Sequence, residues 1–162
     1  MASRRQIVEA EMSSGKAPVD WHAWVGAIES VEEGLHGGMA GVVDTAFYAS
    51  LRKYLAQTNA PENARASVDF MHGLAAWDYT EAARAADPLI AAAARGDLWL
   101  DGDMLRDGAV MAKLATGHRA EARAVFRLLI SRSARDITDL RTRLLFAYIA
   151  DTTDAQVVAL QR

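Results

Sequence analysis

The sequence predicts an all-α protein made of antiparallel helical hairpins, either stacked as a short array or arranged as an irregular helical bundle. Only three prolines interrupt an alanine-rich chain of 162 residues, and this composition favours helix over sheet. Apolar residues recur at the helical period, and no stretch alternates like a strand between hairpin turns. Signals for helix starts and stops divide the chain into a train of helices.

Length and composition indicate one domain, residues 1–162, with N-terminal helices over 1–60 and repeat-like hairpins over 61–162. The chain has no cysteine, which excludes disulfides, thiolate metal sites and cysteine nucleophiles. The sequence has neither a signal-like apolar run near its start nor an apolar stretch of membrane-spanning length. We therefore expect a cytoplasmic protein, or a soluble domain of a longer one.

Charge is distributed unevenly along the chain, whose formal net charge is −3. Residues 1–103 carry 8 Lys and Arg against 15 Asp and Glu, whereas residues 104–162 carry 10 against 6. Such a split predicts a bipolar surface, which is compatible with steering of a charged partner or with formation of a homo-oligomer.

Three helices are predicted in the N-terminal part, over residues 3–12, 21–35 and 42–56. Asp20 is a favourable N-cap for the second of them, and His36–Gly38 is expected to end it. The apolar faces of the second and third helices consist of Trp21, Trp24, Val25 and Ile28, and of Val43, Phe47, Leu51 and Tyr54 or Leu55.

Three helix pairs are predicted in the remainder: 62–76 with 79–95, 104–115 with 119–131, and 137–150 with 154–161. Pro88 lies inside the second of these helices and predicts a kink or a tightened turn near Ala85, because proline has no N–H to donate along the helix. Residues 96–103 are predicted to form a loop, in which Asp101 or Asp103 caps the following helix.

Two segments 40 residues apart resemble each other. WDYTEAARAADPLI (77–90) and GHRAEARAVFRLLI (117–130) carry Glu-Ala at the same place and end in Leu-Ile. Over residues 71–100 and 111–140, ten of thirty positions are identical at this offset. A period of this length is typical of arrays of helical hairpins, each of which buries its apolar face against its neighbours.

These segments resemble the tetratricopeptide-repeat family, in which a small residue precedes a turn, an acidic residue and alanine follow, and a large apolar residue comes four positions later. The matching residues are Gly117, Glu121, Ala122 and Phe126; Tyr79, Glu81 and Ala82; and Asp154 and Ala155. Trp77 and Ala86 depart from this pattern, and Phe70 and Val110 stand where the family has a glycine within the first helix. The resemblance covers residues 61–162 and implies closely stacked hairpins. The stripe expected to be buried consists of Ala122, Val125, Phe126 and Leu129.

The resemblance also implies a function, that of a non-enzymatic module or scaffold binding a partner protein or peptide. The first helices of the hairpins would line its groove, through Met71, Leu74, Met111, Leu114, Leu144 and Tyr148. Methionine-rich grooves adapt well to apolar or helical peptides. The alternative is that neighbouring helices bury these side chains.

A second candidate surface is the basic face formed by Arg119, Arg123 and Arg127, which are four residues apart and share one side of a helix. From Lys113 to Arg143 the sequence has 8 basic residues and 3 acidic ones. This face would dock an acidic protein segment or a nucleic-acid backbone, of which we favour the protein. The alternative is an ordinary solvated helix face.

No arrangement of residues in the sequence identifies an enzyme or a cofactor. Glu33 and His36 form a single E-x-x-H pair, whereas a di-metal bundle needs two. Residues 101–108 lack the glycine and glutamate of a calcium loop. We therefore expect no metal, cofactor or catalytic activity. The alternative is a ligand- or metal-binding bundle, or an enzyme, that uses the Trp- and His-rich first half.

Four tryptophans are expected to pack in the core or between helices, namely Trp21, Trp24, Trp77 and Trp99.

Overall fold

A computed structural model shows seven α-helices over the residues it describes, which are 3–36 and 43–130, with side chains described for 3–31 and 43–129. They are α1 (Arg4–Ser13), α2 (Trp21–His36), α3 (Thr45–Gln57), α4 (Glu62–Ala75), α5 (Tyr79–Ala94), α6 (Gly102–Ala115) and α7 (Arg119–Ile130). The described part has no strand, and the predicted all-α class is confirmed. None of its helices is long and apolar enough to span a bilayer. The pair predicted at 137–150 and 154–161 lies outside the described residues, as does the turn predicted after His36.

The last four of these helices form two hairpins that lie side by side. α4 packs along α5 and α6 along α7, in each case across a short turn that makes the two helices antiparallel. α5 also packs on α6 and so joins the hairpins. In the N-terminal part, α2 and α3 pack on α4, and α1 packs on α2. One continuous cluster of buried apolar side chains runs through all of these contacts.

Aspartates start four of the helices. They are Asp20, Asp44, Asp78 and Asp101, whose carboxylates accept backbone N–H groups of the first turn at 2.9–3.0 Å. Each bond satisfies a donor that the helix itself leaves unpaired. The N-cap predicted at Asp20 is confirmed, and of the two candidates for α6 it is Asp101 that caps the helix.

Two glycines set the distances between the helices of the hairpins. A Cβ atom added at Gly73 of α4 would lie 2.6 Å from the backbone nitrogen of Ala82 in α5. A Cβ atom added at Gly108 of α6 would lie 2.6 Å from Cδ1 of Leu74 in α4. At Gly73 only a residue without a side chain permits this contact, because backbone atoms lie opposite it, whereas the side chains that face Gly108 could shift. The close approach of α4 to α5 is therefore made at Gly73 and not at the position of Phe70.

The alanine of each Glu-Ala pair is fully buried between helices, at Ala82 and at Ala122. The predicted stripe of α7 is buried throughout, with exposed fractions of 0% for Ala122, 6% for Val125, 0% for Phe126 and 1% for Leu129. The repeated sequence motif thus corresponds to a repeated packing position in the two hairpins.

Candidate functional site

The groove residues predicted from the sequence separate into buried and accessible ones. Met71 is 2% exposed and belongs to the core, whereas Met111 of α6 is 45% exposed. Leu74 of α4 and Leu114 of α6 are partly buried against the core. Leu144 and Tyr148, also predicted to line the groove, lie outside the described residues.

The accessible groove residues lie close to the turn between α4 and α5. Leu74 stands near the end of α4 and approaches α6 at Gly108. Met111 follows Gly108 by three residues and so lies about one turn further along a similar side of α6. The side chain of Met111 in turn contacts Tyr79 at the start of α5. These contacts bring α4, α5 and α6 together around one surface.

The most exposed aromatic side chain near this surface belongs to a tryptophan that was predicted to pack in the core or between helices. Trp77, in the turn between α4 and α5, is 65% exposed. Its ring centroid lies 6.1 Å from that of Tyr79, with the two planes at 80°. The Tyr79 hydroxyl donates a hydrogen bond to Sδ of Met111 at 3.8 Å. Trp77, Tyr79 and Met111 form a connected apolar surface, which we call the Trp77 patch.

The backbone at Trp77 is in the left-handed region, with φ at 58°. The equivalent residue of the second hairpin is Gly117, with φ at 84°, and the N–H of each bonds a carbonyl three residues earlier. A side chain in this conformation costs on the order of 1 kcal/mol relative to glycine. Since a glycine would make the same turn, the fold supplies no reason for an exposed indole here.

The prediction that Trp77 packs in the core or between helices is wrong, whereas Trp24 and Trp99 are buried and Trp21 is partly buried. A signal for its exposure was present in the sequence. At the offset of 40 residues, Trp77 aligns with Gly117, at a position that ends a helix. Residues that end helices in the left-handed conformation lie in turns at the surface.

Glu81, the acidic residue of the first Glu-Ala pair, lies in a network that joins α3 to the first hairpin. One of its carboxylate oxygens contacts the Arg52 guanidinium, and the other lies 2.7 Å from Nδ1 of His72. Arg52 also donates to Asp69 at 2.8 Å. The four side chains of this network pair with one another, and we interpret the network as structural.

Glu121, the acidic residue of the second pair, binds a buried cation. Nζ of Lys113 lies 2.9 Å from Glu121 in α7 and 2.8 Å from Asp87 in α5. Burial disfavours the charged amine, but the two carboxylates outweigh it and raise the pKa of Lys113 above its usual value. The same contact lowers the pKa of Glu121. Lys113 therefore connects three helices and is removed from the basic surface predicted between residues 113 and 143.

The predicted basic face is only partly described. Arg119 and Arg127 of α7 are exposed and Arg123 is partly buried. The other arginines of this region, Arg132, Arg135, Arg141 and Arg143, lie outside the described residues.

The Trp- and His-rich first half supplies a cluster that holds α2 against the loop before α6. The His22 ring stacks on Trp99 at 3.9 Å between centroids, and both donate towards the Asp97 carboxylate, at 2.8 and 2.9 Å. The bond from Trp99 and the contact with His22 lower the pKa of Asp97. Within residues 3–31 and 43–129, no three His, Asp or Glu side chains are placed to share a metal ion. The side chains of Glu33 and His36 are not among those described.

Comparison of the chain with protein-family models, with curated proteins and with solved structures finds no match.

Proposed function

We propose that this chain is a non-enzymatic interaction module that binds an apolar, helical segment of a partner protein at the Trp77 patch. The observation that carries the proposal is Trp77 itself, a large apolar side chain held 65% exposed in a backbone conformation suited to glycine. Local strain that the fold does not require is a feature of functional sites. We infer that binding, and not folding, accounts for the indole.

The composition of the patch fits this role. Tryptophan and tyrosine contribute large areas and dominate the energetics of protein interfaces. Methionine adapts its shape to apolar partners, as it does in grooves that receive amphipathic helices. Leu74 and Leu114, both partly exposed near the patch, extend the apolar surface along the first helices of the hairpins.

The experiment is quantitative affinity capture from native lysate with the full chain, comparing the native sequence with Trp77→Gly. Gly117 shows that glycine suits this turn, so the variant is expected to keep the fold. Val19→Ser is the matched control, because Val19 is a fully exposed apolar residue in the linker between α1 and α2. Loss of a hot-spot side chain costs at least about 2 kcal/mol, so we expect a partner retained by the control to be depleted roughly thirtyfold or more with Trp77→Gly.

The alternative surface is tested in the same experiment. A partner that binds Trp77→Gly normally, but is lost with the double variant Arg119→Glu and Arg127→Glu, would assign binding to the basic face. A captured set that is identical for the native chain and for Trp77→Gly contradicts the proposal.

A further inference from the structure

Met111 differs from the other methionines whose side chains the structure describes. Met71 is 2% exposed, Met12 and Met104 are partly buried against the core, and Met111 is 45% exposed. Its sulfur is also the acceptor of the Tyr79 hydroxyl. An oxidant in solution can therefore reach Sδ of Met111 far more easily than that of Met71.

We propose that Met111 is a site of reversible oxidation by peroxides, and that this modification turns the Trp77 patch from an apolar into a polar surface. The sulfur gives an electron pair to one oxygen of hydrogen peroxide and the O–O bond breaks. The second oxygen leaves as hydroxide and takes the proton of the transferred oxygen, directly or through solvent, to become water, and methionine sulfoxide remains. The product is a polar side chain that dedicated reductases return to methionine.

The position of Tyr79 makes the oxidised state compatible with the fold. A sulfoxide oxygen accepts hydrogen bonds better than a thioether sulfur, and the Tyr79 hydroxyl is already directed at the sulfur. The neighbours of Met111 in α6, Val110 and Ala112, are buried, so that Met111 points away from the core. Oxidation therefore changes the surface without placing a polar atom in the interior.

The consequence for partner binding rests on the proposed function, because a polar sulfoxide weakens contact with an apolar segment. The selectivity of oxidation does not rest on it. This difference allows the two ideas to be tested separately.

Selectivity is measured by treating the folded full chain with hydrogen peroxide and following each methionine by peptide mass mapping. Methyl resonances of ¹³C-labelled methionine report whether the fold persists. We expect Met111 to be oxidised at least about tenfold faster than Met71, whose reaction needs local opening of the core. Oxidation of Met12, Met71 or Met104 at the rate of Met111 would overturn the proposal.

The role of Tyr79 is tested with Tyr79→Phe, which removes only the hydroxyl. Oxidation of Met111 should lower the thermal midpoint less in the native chain than in Tyr79→Phe, because only the native chain can donate to the sulfoxide oxygen. Equal losses in the two proteins would remove Tyr79 from the proposal.

The consequence for binding is tested with a partner identified by its loss from Trp77→Gly. Peroxide should weaken its capture by the native chain and leave capture by Met111→Leu unchanged, since leucine keeps the apolar volume without the sulfur. Capture that is sensitive to Trp77→Gly but not to peroxide would refute control by oxidation and leave the docking site standing. Selective oxidation of Met111 without any partner sensitive to Trp77→Gly would leave the modification site standing and refute the docking function.

Discussion

Trp77 combines two features that a stable fold does not need at the same residue. Its backbone is in the left-handed region, which favours glycine. Its indole is mostly exposed to solvent, so that the side chain adds little to the stability of the fold through burial. The second hairpin has Gly117 at this point and makes the same type of turn. Both turns follow a helix of 14 residues and precede another helix, so that Gly117 shows which residue the backbone of this turn favours.

Replacement of Trp77 by glycine is therefore expected to stabilise the isolated protein. We predict that Trp77→Gly raises the free energy of unfolding by about 0.5–1 kcal/mol, since relief of the backbone exceeds the added flexibility of the unfolded chain. Urea unfolding followed by circular dichroism measures the change. Gly117→Ala is the reciprocal control and should lower the free energy of unfolding by about 1 kcal/mol. A clear destabilisation by Trp77→Gly would mean that the indole supports the fold through its contact with Tyr79.

Each helical hairpin uses its Glu-Ala pair in the same way, although the partners differ. The alanine is buried, and the glutamate binds a basic side chain from an earlier helix. In the first hairpin the basic side chains are Arg52 and His72, and in the second it is Lys113. The Glu-Ala pair that is repeated in the sequence therefore marks a repeated packing interaction, and it does not identify a ligand.

The contact between α4 and α5 depends on a glycine that the sequence pattern did not single out. An added Cβ at Gly73 would meet backbone atoms of α5 at 2.6–3.0 Å, and backbone cannot move aside as a side chain can. We predict that Gly73→Ala lowers the free energy of unfolding by at least about 2 kcal/mol, in the range of overpacked cores, as measured by thermal and urea unfolding.

Gly26→Ala is the matched control for that prediction. Gly26 also lies inside a helix, but nothing lies within 4 Å of a Cβ added there. Alanine has the higher helix propensity, so this variant should be more stable than the native chain by up to about 1 kcal/mol. If both variants shift stability in the same direction, the close approach at Gly73 does not control the hairpin.

Most of the elements could be predicted from the sequence, because their signals are local. The described helices begin and end within about three residues of the predicted bounds, since an aspartate N-cap and a helical apolar period are visible in a short window. In the structure, α5 continues through Pro88 as one helix from Tyr79 to Ala94.

The site was harder to predict than the helices. Burial of Met71 depends on which helices become neighbours, and a single sequence does not state that. The only signal for the exposure of Trp77 was its alignment with Gly117 at the end of a helix.

Across the whole molecule, carboxylates with lowered pKa values lie where separate elements meet. Asp44 accepts a bond from the backbone of Phe47 and pairs with Arg5, which joins α1 to the start of α3. Asp97 holds the loop before α6 against α2, and Glu121 holds α7 to α6. Each of these contacts favours the ionised acid, so each binds a proton less readily in the folded chain than in the unfolded one.

Acid should therefore loosen several contacts together. A carboxyl group whose pKa is lowered by folding contributes its full stability above its unfolded pKa, about 4 for Asp and Glu, and loses it as the pH falls through the folded value. We predict that the free energy of unfolding is steady from about pH 7 to 5 and decreases below about pH 4, as measured by urea unfolding followed through tryptophan fluorescence. Burial raises the pKa of Asp107, which acts in the opposite direction, so the overall curve does not isolate any one group.

Asp97→Asn isolates one of these groups, because asparagine keeps the shape of the side chain and cannot ionise. The Asp97 carboxylate is partly exposed, and screening by solvent limits its contribution, so we expect a loss of about 1 kcal/mol at neutral pH. Below the unfolded pKa of about 4, the native carboxylate loses its charge as the pH falls through its lowered folded pKa. The difference between the two proteins should therefore shrink as the pH falls below about 4. A difference that stays constant over that range would show that Asp97 holds α2 to its loop through hydrogen-bond geometry alone, without a contribution from its charge.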